Sequence, residues 1–328
     1  MSLPANIHHN PWDKPCQSIW PVSCMCLKRN LKREPFPQRQ EALRAKNTLE
    51  LLQDLIIKCP QEQQLTPIDL NQLSPESKEA LFCQHFLDIT TYEDRPSQAL
   101  FCNPSKAIVI TINLENHLCL QAVDYHNDWF GTWNKLIEID NFFAKHVDYA
   151  FSTRFGYLTK NLAECGLGLS ARACLHLPLL SANDQELCSI LDHSAASKLH
   201  LSKHPHFDVL TLKNRYNLGL TEEALIKALH EKAQQLTDKE RELREHISQE
   251  TLEKVKKSIA SSLGMLLHGY NLTMQEIQYA LSNIKLGLDL KLVTGVTDEE
   301  LNYLFFQKPL NLFTNSYKDA LKNLSLKF

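Results

Sequence analysis

DYAFSTRFGYLTKNLAECGLGLSARACLHLPLL, residues 148 to 180, is the stretch on which the fold turns. Strand-like runs stand near its two ends, YAF (149 to 151) and ACLHL (173 to 177). Between and beyond them Gly156, Gly166, Gly168 and Pro178 shape the backbone. Upstream, AIVITIN (107 to 113) and HLCLQAVD (117 to 124) read as strands, the second alternating as Leu118, Leu120 and Ala122, and the short link Leu114-Glu115-Asn116 makes them a hairpin. Downstream, DVLTL (208 to 212) adds another strand. Helical patterns flank these runs: about Gln38 to Lys58, where Leu43, Leu49, Leu52, Leu55 and Ile56 recur at helix spacing, a helix opened by Ser74-Pro75-Glu76, and one from about Trp129 to His146. Strands joined by helices, with an antiparallel hairpin among them, predict an α+β fold in which helices cover a sheet.

Beyond Gly219 the pattern is helical almost throughout. Thr237 with Glu240, Thr273 with Glu276 and Thr297 with Glu300 have the spacing of capping boxes and predict three helix starts. Ile277, Leu281, Ile284 and Leu288 form a stripe suited to packing along another helix, either inside the chain or across a dimer seam. The first 15 residues, with Pro4, Pro11 and Pro15, read as an extended arm. The expected organisation is therefore an arm (1–15), a main α+β domain (16–245) and a helical C-terminal domain (246–328).

The chain's 328 residues carry 35 basic against 38 acidic side chains, a net charge of −3, which provides no footprint for nucleic acid or an anionic membrane. No apolar run approaches the roughly 18 to 20 residues needed to span a bilayer, and the start MSLPANIHHNPWDKP lacks a signal-peptide core, so a cytoplasmic location is expected. Ten cysteines all precede residue 189 and include no CxxC pair, so most are expected to be reduced and several simply buried.

The opening stretch resembles the guanido kinase pattern F-G-Y-L-T-x-C-P-T-N-x-G-T-G-L-R-A-S-V-x-x-H-L-P at Phe155, Gly156, Tyr157, Leu158, Thr159, Gly166, Gly168, Leu169, Ala171, His176, Leu177 and Pro178. Three further stretches are similar to family motifs in the same order. SIWPVSCMCLKRNLKREPFP (18 to 37) keeps Val22, Ser23, Leu27, Arg29, Asn30 and Leu31 of V-S-S-R-x-R-L-A-R-N-L. ITINLENHLCLQ (110 to 121) keeps Asn113, Glu115, His117 and Leu118 of N-E-E-D-H-L-R, and LKNRYNLGLTEEALIKAL (212 to 229) resembles I-S-N-x-x-x-L-G-L-S-E-E. The helical tail looks like the C-terminal domain of the bacterial protein-arginine kinase branch. The resemblance implies an eight-stranded antiparallel sheet with helices and a helical dimerisation domain. It also implies ancestry in ATP-dependent phosphorylation of protein arginines, a small zinc-binding activator as partner, and a pathway leading to Clp proteolysis.

The residues that do the family's chemistry are changed. The two arginines of S-x-R-x-R, beside Ser23, fall on Cys24 and Cys26; the one after D-H-L falls on Cys119, and the one in G-L-R on Ser170. The active-site cysteine falls on Asn161. The segment SKLHLSKHPHFDVLT (197 to 211), where a Gly-rich loop with an arginine and a glutamate is expected, has none of these, and the glutamate falls near His204. Charge-assisted contacts contribute about 1.5 to 3 kcal/mol each, so losing five removes about 7 to 15 kcal/mol of phosphate stabilisation. Glu115 alone keeps a catalytic-carboxylate position, and without its partners it is expected to cap the hairpin turn or face solvent.

Nearby Arg172, Lys160 and Lys203 offer a route to rewiring, since an arginine two places along a strand keeps its face. Cys24, Cys26 and Cys119 either fill vacated space, hold a soft metal with His204 or His206, or form a redox pair. The branch's phosphoarginine motif R-D-x-x-R-A has only a loose echo in Lys318 to Asn323. The expectation is a dimeric pseudokinase that acts by binding protein, with no cofactor. The alternative is an active, divergent protein-arginine kinase using ATP and magnesium.

Overall fold

A computed structural model describes residues 18–59, 65–84, 87, 95–103, 105, 107–191, 198–204, 208–269, 272–306 and 324–327. The expected arm, His206 and the Lys318 to Asn323 echo lie outside the described residues.

In chain order the elements are β1 (Val22–Arg29), α1 (Ala42–Lys58), β2 (Thr66–Asp69), α2 (Pro75–Gln84), β3 (Ala99–Cys102), β4 (Ile108–Ile112) and β5 (Leu118–Asp124). Next come α3 (Trp129–Ala144), β6 (Phe151–Ser152), β7 (Gly156–Tyr157), β8 (Leu169–Leu175), α4 (Pro178–Ser181), α5 (Asp184–Ile190), β9 (Leu199–Lys203) and β10 (Leu210–Asn214). Helices α6 (Glu222–Glu245), α7 (Gln249–His268), α8 (Met274–Asp289) and α9 (Asp298–Phe306) follow, with two short strands, β11 (Val293–Thr294) and β12 (Ser325–Leu326), pairing among them.

Eight strands form one sheet in the order β2-β3-β4-β5-β1-β8-β10-β9, and every neighbouring pair is antiparallel. This is the α+β architecture the resemblance implies. The strands alternate between two buried faces, so β1 reads VSCMCLKR with no exposed position. On one face Met25, Leu27, Leu120 and Ala171 pack under α1, α3 and α6, through Leu52, Leu136 and Leu229 among others. The other face is covered in two pieces. Val22, Cys24, Val123 and Cys174 lie under α7, α8 and α9, and Leu100, Cys102 and Val109 pack with Leu73 and Leu81. The gap between these pieces is the site described below.

Helix α6 starts where Thr221 accepts a hydrogen bond from Ala224 N–H, with Glu222 and Glu223 in its first turn. It runs unbroken through Thr237, so the start expected there does not exist. Glu240 is spent elsewhere: its carboxylate accepts from Leu180 N–H at 2.8 Å and from Arg244 Nε at 2.8 Å, which caps α4 from a distance. The other two capping boxes form as expected, reciprocally at Thr273 and Glu276 and at Thr297 and Glu300. Other expected boundaries shift. The first helix begins at Ala42 after a short 3-10 turn over Pro37–Arg39. Strand β8 ends at Leu175 because Pro178 opens α4, leaving His176 and Leu177 outside it. Ile277, Leu281 and Ile284 are buried within the chain and Leu288 packs beside them, so the stripe is core that packs against α7, α9 and the sheet. No described helix is long and apolar enough to cross a membrane.

Candidate functional site

Period-two alternation places Cys24, Cys26 and Lys28 of β1 on the second face, Cys26 and Lys28 in its uncovered part and Cys24 at the edge of the part under α7–α9. Register then fixes their neighbours. Cys26 lies between Gln121 of β5 and Ser170 of β8, Lys28 lies opposite Cys119, and Cys24 lies opposite Arg172. Together with Thr111, Glu115 and Asn116 these residues line one cavity. Four positions scattered from 24 to 170 in sequence are thus adjacent in space.

Two of them are joined. Cys26 and Cys119, diagonal neighbours with Cα atoms 6.5 Å apart, form a disulfide. The other described cysteines, Cys24, Cys59, Cys102, Cys165, Cys174 and Cys188, are thiols, so most are reduced as expected and this pair is the exception. Among the described residues no group of three or more His, Cys, Asp or Glu is placed to hold a metal ion. Cys174, farther along the same face, remains a thiol, and burial pushes it up to about 12.

Ser23 does not belong to the site. It points to the opposite face, where its hydroxyl accepts the Trp20 indole N–H at 2.8 Å. Glu115 does belong: it lines the cavity with its carboxylate 3.8 Å from Lys160 Nζ, where a cap on the hairpin turn or a solvent-facing side chain was expected. The link that carries it is tied down by Asn30, which donates to Asn116 at 2.7 Å and to the Leu158 carbonyl at 3.0 Å, and accepts from His117 N–H at 3.0 Å. His117 accepts from Leu31 N–H, and burial lowers its pKa to about 4, so it stays neutral.

Asn161 caps a single 3-10 turn by accepting from Ala163 N–H at 3.1 Å. It lines a neighbouring cleft with His200, Lys213, Asn214 and Arg215, which meets the cavity at Ser170.

The cavity is not stripped of cations, as the arginine positions alone imply. Arg172, two places beyond Ser170, is 8% exposed and lines it, and Lys28 lines it while ion-paired to Glu164 at 2.5 Å. Lys203 instead pairs with Asp208 at 3.1 Å.

Beneath the site, Arg29 is 1% exposed, paired to Asp140 at 2.7 Å, stacked 3.8 Å from the Tyr157 ring centroid and bonded to the Leu167 carbonyl. Gly168, at φ +62°, accepts a hydrogen bond at its carbonyl from Lys28 N–H at 2.7 Å, and an added Cβ would sit 2.6 Å from the Lys28 carbonyl oxygen. Gly168→Ala is therefore expected to cost about 1–3 kcal/mol, read as a lower urea midpoint at unchanged m-value.

Residues 48–243 match the family pattern described as the ATP:guanido phosphotransferase C-terminal catalytic domain. The chain belongs to the ATP:guanido phosphotransferase family. Within that family it is 30% identical over 298 residues to a protein-arginine kinase of Chlamydia pneumoniae, covering 88% of this chain and 82% of the relative. It is 27% identical over 308 residues to one of Clostridium novyi, covering 92% and 87%. Among solved structures, the duplicated taurocyamine kinase of Schistosoma mansoni with bound transition-state-analogue components superposes with a TM-score of 0.61 at 20% identity. That match covers 70% of this chain and 34% of that one. A lombricine kinase gives 0.59 at 19%, covering 70% and 68%. These structures share the fold.

A polyanionic phosphate tail needs several forked donors. Here a disulfide joins two of the positions where the resemblance places arginines, and of the two cations that line the cavity among the described residues, Lys28 is already ion-paired. Lys28, His200, Lys213 and Arg215 were not singled out from sequence. Their signal is the alternation that places them on the same face as Cys26 and Ser170.

Proposed function

We propose that this guanido phosphotransferase family member does not transfer phosphate and works by binding protein. The observation that carries the reading is the single cavity in which Cys24, Cys26, Cys119 and Ser170 meet, with a disulfide where forked cations would have to stand. Asn30, Arg29 and Gly168 hold the backbone around it, which supports the reading. Phe151, Phe155, Leu162 and Leu218 are 45% to 83% exposed on and near the β6–β7 ribbon, an apolar surface suited to a protein partner. The reading includes a cytoplasmic setting, a homodimer through the C-terminal helices and a small zinc-binding activator-type partner.

Mg-ATP should leave the thermal unfolding midpoint unchanged. A nucleotide present at a hundredfold excess over its Kd would add about 2.7 kcal/mol and raise that midpoint visibly. A second reading, an active protein-arginine kinase, draws on Arg172 and Lys28 in the cavity and Lys213 and Arg215 in the adjoining cleft. A midpoint rise with Mg-ATP that disappears in Arg172→Gln would favour it.

A further inference from the structure

We propose that Cys26 and Cys119 are a redox-active dithiol/disulfide couple that exchanges with small monothiols through Cys119. The two cysteines occupy adjacent strands of one rigid sheet, so either redox state leaves the partner sulfur within reach. They differ in access. Cys26 is 6% exposed, whereas Cys119 is half-buried at the cavity wall, so an incoming thiolate meets the Cys119 sulfur first.

Charge is arranged to suit the exchange. Arg172 is diagonal to Cys26 across the β1–β8 pair, and Lys28, whose ammonium is ion-paired to Glu164, is the direct cross-strand neighbour of Cys119; both line the same cavity, so the field at the sulfurs is set by Arg172 and by the Lys28–Glu164 pair together. Cations near a sulfur stabilise the thiolate that attacks or leaves. In a cytoplasmic chain, as read above, a disulfide is more commonly regulatory or catalytic than structural. The inference is independent of whether phosphate is transferred.

The chemistry balances without further reagents. A monothiol gives up its proton and attacks Sγ of Cys119; the bond to Cys26 breaks and its electron pair leaves with Cys26, which takes up a proton. A second thiolate attacks the sulfur of the first in the mixed disulfide and releases Cys119, which is protonated in turn. Two monothiols have become one disulfide, and the protein disulfide has become two thiols. Oxidation of the protein runs the same steps backwards, with a small disulfide as the oxidant.

The test equilibrates the full-length folded protein with defined mixtures of reduced and oxidised glutathione, followed by acid quench, alkylation and peptide mass spectrometry. Cys26 and Cys119 are expected to be alkylated together or protected together. Their dithiol-to-disulfide ratio should rise about tenfold for each tenfold rise in [GSH]²/[GSSG]. With oxidised glutathione, Cys26→Ser should accumulate one glutathione on Cys119, while Cys119→Ser accumulates none on Cys26. Independent alkylation of the two cysteines at every ratio would overturn the proposal. So would a disulfide that yields to reduced glutathione only after denaturation, or an adduct confined to Cys26.

Discussion

Arg29→Met is expected to lower the stability of the folded chain by about 3–5 kcal/mol, the cost typical of removing one partner from a buried ion pair. The guanidinium is 1% exposed and meets Asp140 through Nε and Nη2, at 3.1 and 2.7 Å. Without it the Asp140 carboxylate keeps, among the described residues, the Tyr149 hydroxyl at 3.0 Å, in a buried setting. The Tyr157 ring loses a cation stacked 3.8 Å from its centroid, which adds to the loss. Tyr157 and Leu167 both lie between residues 148 and 180, so Arg29 fastens β1 to the segment that shapes the site. Urea unfolding followed by circular dichroism checks this. A change below 1 kcal/mol would show that the ion pair is not closed to solvent.

Reducing the Cys26–Cys119 bond is expected to cost about 2–4 kcal/mol, because the bond closes a loop with a sequence separation of 93 and so restricts the unfolded chain. The oxidised protein should unfold at higher urea than the same protein in reductant. Cys119→Ala should unfold at one midpoint in both conditions, near that of the reduced wild type. Equal midpoints for oxidised and reduced wild type would contradict the cross-link. Unlike glutathione equilibration, this comparison reports the bond's contribution to stability, whatever the rate of exchange.

Much of the fold was legible from short-range features. The β4–β5 hairpin follows from alternation, and the helix starts at Thr273 and Thr297 from reciprocal capping. The start expected at Thr237 failed because a capping pattern is local, while the stripe Leu225, Leu229, Ala233 and Leu236 carries α6 straight through it and Glu240 answers a tertiary demand. The site was legible in part. Its four vacated positions emerged from the family resemblance, yet their chemistry depends on register. Cys26 and Cys119 are far apart in sequence, and only the β1–β5 pairing makes them neighbours. Ser23 shows the reverse: it adjoins the motif in sequence, and one residue along a strand turns its side chain to the other face. Arg172 was visible as a compensating candidate because two residues along a strand preserve the face. Lys28 was missed because β1 was read by family motif rather than by alternation.

Phosphate transfer tests the central claim most directly. Purified full-length protein incubated with labelled Mg-ATP and an arginine-rich protein should yield no acid-labile phosphate above the level of a no-enzyme control, in either redox state. Incorporation abolished by Glu115→Gln would contradict the account, because it would show that a cavity rebuilt around Arg172 and Lys28 still moves a phosphoryl group.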